Sequence, residues 1–401
     1  MTCSSERDRV GSTVLWGFYG HSNLGDDLML SRLTEIIAAA TGESPVVFTG
    51  PRGDVENLRS YAIRSYWHWL PRLEWGSRTL GIANWFRCWP SRVRYIRALS
   101  EVQTMILGGG SLLHVEKNWL PSFLDQLGYA KARGKQVVLF GIGVVGEPTG
   151  RRQREQLGQL LQLVDLTVFR DRISYDIAVE SVGEDANVLL ASDPLYPLAL
   201  DQNVLVTSYS TAVSRPAVGL APRGSLYWRG TNEQLIDTFS DLSQMLLDAG
   251  HRVSLLSFGD RWDMSICEAI AGRIDDTDRV SVPVIPRQSG ALRELLAGLS
   301  CVVAMPLHAM LLSSIFGTPV VPLSYQSKCI AFCTEVGIRP LAHDLTLHTL
   351  PPAAELLTLF EMAQHYYHEN ATLIAEAIQQ QKAKAFEAEG LLAATLRRRR
   401  G

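Results

Sequence analysis

Short runs of β-branched and other apolar residues recur along the chain, and each is followed by a longer stretch in which apolar positions return with helical spacing. That alternation predicts parallel β-α-β units. The first run covers 13–17 and leads through a glycine-rich turn into a helix expected from about 26 to 41. Further strands are expected at 45–49, 103–107, 136–141, 166–170 and 187–190. A second series starts at 217–220 and continues at 252–257, 280–282, 301–304 and 318–323. The chain around 200–215 carries Asn203, Ser208, Ser210, Ser214 and Pro216, a composition suited to a linker. The expected fold class is therefore α/β with two Rossmann-like domains, 1–205 and 206–345, and a cleft between them. A C-terminal helical segment over 346–401 follows, alanine-rich after Pro352, and such a terminal helix can pack back onto the first domain.

Composition agrees with a globular protein: 46% of residues are hydrophobic and 20% charged in a chain of 401, long enough for more than one core. A net charge of −3 argues against binding nucleic acid through bulk electrostatics. The cysteines at 3, 88, 267, 301, 329 and 333 form no C-x-x-C pair and show no zinc spacing, so reduced thiols are expected. The first ten residues are polar and lack an apolar signal core, and no stretch reaches the roughly 20 apolar residues of a spanning helix. A cytoplasmic location is expected, with peripheral attachment to the inner face of a membrane left open. The run Arg397 to Arg400 reads either as a solvated helix end beside the negative end of its dipole or as a contact for anionic lipid.

Candidate chemistry clusters at strand ends. Gly17-Phe18-Tyr19-Gly20-His21-Ser22-Asn23-Leu24-Gly25-Asp26-Asp27 joins the first strand to its helix, with Asn23 and Asp26 as natural caps and Gly20 and Gly25 giving the turn its freedom. Backbone amides at such a helix start can face an anion, although a capped turn alone explains the residues equally well. Gly108-Gly109-Gly110-Ser111-Leu112-Leu113-His114 follows the 103–107 strand, and Gly141-Ile142-Gly143 follows the next. Gly109 and Gly110 would let a ligand approach the backbone closely, as at the crevice of an open α/β sheet. Arg170-Asp171-Arg172-Ile173-Ser174 ends a further strand. Arg170 could fork onto a phosphate or carboxylate or simply pair with an acid, while Asp171 and Ser174 are expected to cap the next helix.

In the second half, Met305-Pro306-Leu307-His308 and Ser324-Tyr325-Gln326-Ser327-Lys328 both follow apolar strands. His308 and Lys328 are thus expected at neighbouring strand ends facing the cleft. A histidine there is a candidate acid or base, because its charge changes near neutral pH. The glycine spacings are not the dinucleotide G-x-G-x-x-G, and the histidines, His365 and His368 included, form no H-E-x-x-H cluster. Dehydrogenase and metallohydrolase readings fail on those grounds, and neither a cofactor nor a metal is expected.

Taken in order, these elements resemble the polysaccharide pyruvyl transferase family over most of 13–335. The family's Gly-Tyr-Tyr-Gly-x-x-Asn-x-Gly-Asp-Glu is matched by Gly17 through Asp27, its Gly-Gly-Gly-x-Leu-Leu by Gly108–Leu113, and its Arg-Asp-x-x-Ser by Arg170, Asp171 and Ser174. Ser192-Asp193-Pro194 matches an Ala-Asp-Pro element in part, and Arg223 matches an arginine after the second domain's first strand. Leu307-His308, Gly317, Pro319, Ser324, Tyr325 and Lys328 match the closing motif. The resemblance implies a fold like the B-type glycosyltransferases. It also implies transfer of pyruvate from phosphoenolpyruvate to two hydroxyls of a glycan or lipid-linked precursor, making a cyclic ketal. Arg170 and Lys328 would then sit near the donor's anionic groups, with His308 as acid/base and Arg223, Ser324, Tyr325, Gly109 and Gly110 on the donor side. Gly20, Asn23, Gly25, Asp26 and His114 would serve the acceptor or the loop structure. All of these groups are expected to converge on one crevice.

One departure matters. The family's arginine before Leu-His is Pro306 here, which cannot hold an anion; Arg223 or Arg261 could substitute. A nucleotide-sugar glycosyltransferase of the same architecture and a non-catalytic relative remain as alternatives. His114 stands where the family has glutamine. Residues 61–97 hold five of the nine tryptophans among seven arginines. That segment reads as buried lining, as a sugar-stacking surface or as a membrane interface.

Overall fold

The computed structural model describes residues 12–21, 23–50, 55, 58–63, 88–115, 119–182, 187–224, 228–259, 261–276 and 278–398. Most of the tryptophan- and arginine-rich stretch falls outside them. The chain divides into two compact units. The first holds Met1–His21, Met29–Pro194 and Lys384–Gly401; the second holds Ser22–Leu28 and Leu195–Ala383.

The first unit contains β1 (Thr13–Trp16), α1 (Leu24–Thr41, from Met29 on), β2 (Val46–Thr49), β3 (Ser60–Ala62), α2 (Trp89–Glu101), β4 (Thr104–His114) and α3 (Leu120–Ala132). It continues with β5 (Gln136–Val145), α4 (Arg151–Leu163), β6 (Leu166–Phe169), α5 (Arg172–Val182) and β7 (Val188–Leu190). The strands are parallel in the order β3-β2-β1-β4-β5-β6-β7. Side chains alternate across the sheet with a period of two. Val14, Trp16, Phe48, Met105, Leu107 and Leu139 join a core with Tyr95, Leu99, Phe123 and Leu157 of α2, α3 and α4. Leu15, Val47, Ile106, Val138 and Val168 face the other way, against Leu33 and Ile37 of α1. Both faces are covered, which explains why the strands read as unbroken apolar runs.

The second unit starts with α6 (Gln202–Thr211), followed by β8 (Ala217–Ala221), α7 (Asn232–Asp248), β9 (Arg252–Leu255), α8 (Arg261–Ala271), β10 (Val280–Ser281), α9 (Ser289–Ala297), β11 (Leu299–Ala304) and α10 (Leu307–Ile315). Then come β12 (Val320–Ser324), α11 (Ser327–Glu335), β13 (His343–Asp344), α12 (Ala353–Glu369) and α13 (Ala371–Arg397). Its sheet is ordered β10-β9-β8-β11-β12-β13, again with parallel pairs. Each sheet thus reverses direction beside its first strand, at β1/β4 and at β8/β11, the doubly wound Rossmann pattern expected from sequence.

The linker reading of 200–215 is corrected: this stretch is the helix α6. Its hydroxyls bond to carbonyls one turn back, Thr207 to Asn203, Ser210 to Val206 and Thr211 to Thr207, so a polar composition is compatible with the helix. Leu205 and Tyr209 are buried and anchor it. The first unit's boundary falls at Pro194, and the last turns of α13, from Lys384, count with that unit. There Ala388, Leu392 and Leu396 join the core formed with α1. Glu389 takes both the Nε (2.7 Å) and the Nη2 (2.6 Å) of Arg32.

Candidate active site

In the first unit the two glycine-rich turns are locked to each other. The Tyr19 hydroxyl donates to the Gly108 carbonyl. A β-carbon on Gly17 would overlap the Tyr19 ring, and one on Gly108 would overlap Leu33. Gly109 and Gly110 have φ of 70° and 85°, a left-handed backbone that lets β4 bulge between Gly110 and Leu113. Met29 packs on Gly109. On the side where a β-carbon would stand, Gly108 and Gly109 are packed by side chains of α1. Gly20 also has a positive φ, 72°. The neighbouring His21 stacks on Phe18 at 4.3 Å. His114 ends β4 with its ring 4.2 Å from that of Trp119.

Arg170 follows β6 and is buried. Its Nη1 lies 2.8 Å from Asp193, and the pair is only 4% and 6% exposed; Nη2 donates to Ser111 at 3.2 Å. Asp193 belongs to Ser192-Asp193-Pro194, and Pro194 occupies the space that a β-carbon on Gly141 (φ 62°) would need. Asp171 accepts from the Ser174 amide and hydroxyl, and Ser174 in turn accepts from the Val144 amide. The Arg-Asp-x-x-Ser motif is thus a capped helix start with a buried ion pair beside it.

In the second unit chemistry gathers at the carboxyl ends of three adjacent strands, β8, β11 and β12. His308 is the second residue of α10, after β11, and Lys328 the second of α11, after β12; both are partly exposed. Ala304 pairs with Ala221 on one side and Pro322 on the other, so the three strand ends lie in register. With strands about 4.8 Å apart, they span about 10 Å. Arg223 lies two residues past β8, and its Nη1 is 2.6 Å from Asp263, which is 1% exposed and also accepts from the Gly224 amide at 3.2 Å. A β-carbon on Gly259 would overlap both partners. Trp228 donates its Nε1 to the Arg223 carbonyl at 2.9 Å. Arg261 is exposed, with its guanidinium over the Trp262 ring at 5.4 Å. Pro306 is buried as the N-cap of α10, where its carbonyl accepts from Ala309 and Met310.

The first motif also contributes here. Asn23 through Asp27 belong to the second unit: the Leu24 amide donates to the Phe258 carbonyl at 3.2 Å, and Arg287 lies 3.6 Å from Asp27. Asp26 is 5% exposed in the first turn of α1, and the Asn23 carbonyl accepts from the Asp27 amide. Gly25 rests directly against the His308 imidazole.

Of the residues singled out from sequence, His308, Lys328, Arg223, Asn23, Gly25 and Asp26 fall in the second unit; Arg170, Gly20, Gly109, Gly110 and His114 fall in the first. Ser324 and Tyr325 are buried, at 0% and 8% exposed. Asp263 and Ser111 were missed. The signal for Asp263 is its place in Gly259-Asp260-Arg261-Trp262-Asp263, the run that also holds Arg261. Among the described residues no group of histidine, cysteine and acidic side chains could hold a metal ion, and no helix is long and apolar enough to cross a membrane. The five described cysteines are free and buried.

Residues 23–327 match the family model for polysaccharide pyruvyl transferase. The amylovoran biosynthesis protein AmsJ of Erwinia amylovora is 22% identical over 272 residues, 62% of this chain and 62% of its own length. The chain thus spans under two thirds of that relative. Among solved structures, HepE of Anabaena in complex with UDP is similar at a TM-score of 0.53 and 12% identity, with 96% of this chain and 99% of that one covered. The trehalose 6-phosphate synthase of Burkholderia multivorans is similar at 0.54 and 11%, with 97% and 96% covered. At such identities the likeness shows the fold alone, that of the B-type glycosyltransferases.

Proposed function

The chain belongs to the polysaccharide pyruvyl transferase family, and from that premise we propose that it transfers pyruvate from phosphoenolpyruvate to two hydroxyls of a glycan or lipid-linked precursor, forming a cyclic ketal. The observation that carries the reading is the row of Arg223, His308 and Lys328 at the adjacent ends of β8, β11 and β12. The donor has a carboxylate and a phosphate, and two cations at these strand ends, with the first turns of α10 and α11 beside them, suit such anions. The reaction needs one proton delivered to the methylene carbon and two removed from the attacking hydroxyls. One of those protons ends on the new methyl group and the other leaves with inorganic phosphate. His308, the neutral-pH acid/base in that row, is assigned the proton transfers. Lys328 holds the anionic groups, with Arg223, kept in place by Asp263, lending its charge at the end of β8. No cofactor is required.

The test is phosphate release from phosphoenolpyruvate in the presence of glycan acceptors, with His308→Ala as control. Absence of release with every acceptor, together with an unaffected variant, overturns the reading. Pro306 favours a second reading, in which the missing cation leaves a protein that binds its donor without turnover or takes a nucleotide sugar instead. Thermal shift separates the two donors, because a specific ligand stabilises the fold by mass action. Stabilisation by phosphoenolpyruvate and not by nucleotide sugars rules out the nucleotide-sugar donor, and phosphate release then tells turnover from binding alone.

A further inference from the structure

Gly25 is glycine for a different reason from its neighbours. Gly20, Gly109 and Gly110 have positive φ, where only glycine is at ease. Gly25 lies in the first turn of α1, where its backbone is helical and any residue would be tolerated. What excludes a side chain is the His308 imidazole: a β-carbon at 25 would overlap its Nδ1, Cγ and Cε1 atoms at once. The helix turn cannot yield readily, because it is tied on both sides of the glycine. Leu24 donates its amide to the Phe258 carbonyl, and Asp27 faces Arg287. Leu24, Gly25 and Asp26 are all buried. The imidazole, at the end of a rotatable side chain, is the partner that would move.

We propose that Gly25 is a positioning residue: its bare Cα forms the seat that fixes the His308 ring, so the opening motif acts on the reaction through the second unit's histidine. The inference rests on the reading above in one respect, that His308 is the acid/base. It predicts an unusual combination. Alanine is the stronger helix former, which offsets part of the cost of moving the ring, so Gly25→Ala should lower melting temperature only modestly while displacing the ring.

The experiment compares Gly25→Ala, His308→Ala and the double variant in two readouts. The first is phosphate release from phosphoenolpyruvate with a glycan acceptor. Gly25→Ala should lose kcat by at least about 100-fold, as expected for a displaced acid/base, with KM for phosphoenolpyruvate changed less than about threefold. The double variant should be no slower than His308→Ala alone. The second readout is the imidazole NMR signal of His308 in histidine-labelled protein, assigned by its loss in His308→Ala; it should shift in Gly25→Ala. An unmoved signal, or losses that multiply in the double variant, overturns the proposal. A shifted signal in a protein that releases no phosphate even as wild type upholds the seat and sinks the reading above, so the two failures are distinguishable.

Discussion

The two units share a strand order and place their distinctive residues at the same topological position, yet they present different things there. In the first, the strand ends offer backbone. Gly109 and Gly110 turn left-handed, Tyr19 and Met29 pack onto the glycines, and Arg170 is sealed against Asp193 and Ser111. In the second, the strand ends offer side chains, with His308 and Lys328 both partly exposed at second positions of helices. Topology fixes where a site can form, but burial decides whether a charged group there is free to meet a ligand. An arginine 4% exposed and bonded to Asp193 and Ser111 contributes mainly by holding a loop; a partly exposed imidazole is within reach of a ligand.

The sharpest way to break that contrast is to remove one group from each side. His308→Ala should lower phosphate release about 10²- to 10⁴-fold, the usual range for a general acid/base, with little change in melting temperature. Asp193→Ala should do the reverse and cost about 3–5 kcal/mol of stability, because it takes the carboxylate away from the buried Arg170 cation. Denaturant unfolding reads that loss, and an apolar pair at 170 and 193 should recover much of it. Gly141→Ala should cost about 1–2 kcal/mol from its left-handed φ alone, plus repacking of Pro194.

The smallest effect lies at alkaline pH. Burial pushes the thiols of Cys267 and Cys301 up to about 12 and raises the Tyr95 and Tyr209 hydroxyls. Folding thus favours the neutral thiol. This contribution is complete below the ordinary thiol value near 9 and fades between about pH 9 and 12, as the unfolded chain ionises while the folded one does not. Melting temperature should fall over that window, and a thiol reagent at pH 8 should leave these two cysteines unlabelled until the protein unfolds.

Much of the fold was legible because a strand buried on both faces must be apolar throughout. The runs at 45–49 and 217–220 became β2 and β8 almost residue for residue. Two edge strands were not: β3 and β13, of three and two residues, lie in stretches without an apolar run, unlike the equally short β7 and β10. The strand from 104 was drawn too short because three glycines look like a turn, whereas β4 runs through them to His114 with a bulge. At the site, residue types at strand ends were legible and pairings were not. The sequence of Arg170 does not say that Asp193 closes on it, and nothing around Gly25 announces that an imidazole far along the chain fills its missing side chain.

The last turns of α13 complete the core of the first unit with Ala388, Leu392 and Leu396. During synthesis these residues leave the ribosome after the whole second unit, so Leu33 and Ile37 of α1 wait for their final cover until that unit has been made. A nascent chain stalled anywhere before Lys384 carries that apolar face uncapped. The first half of the molecule to be made is thus the last to be sealed.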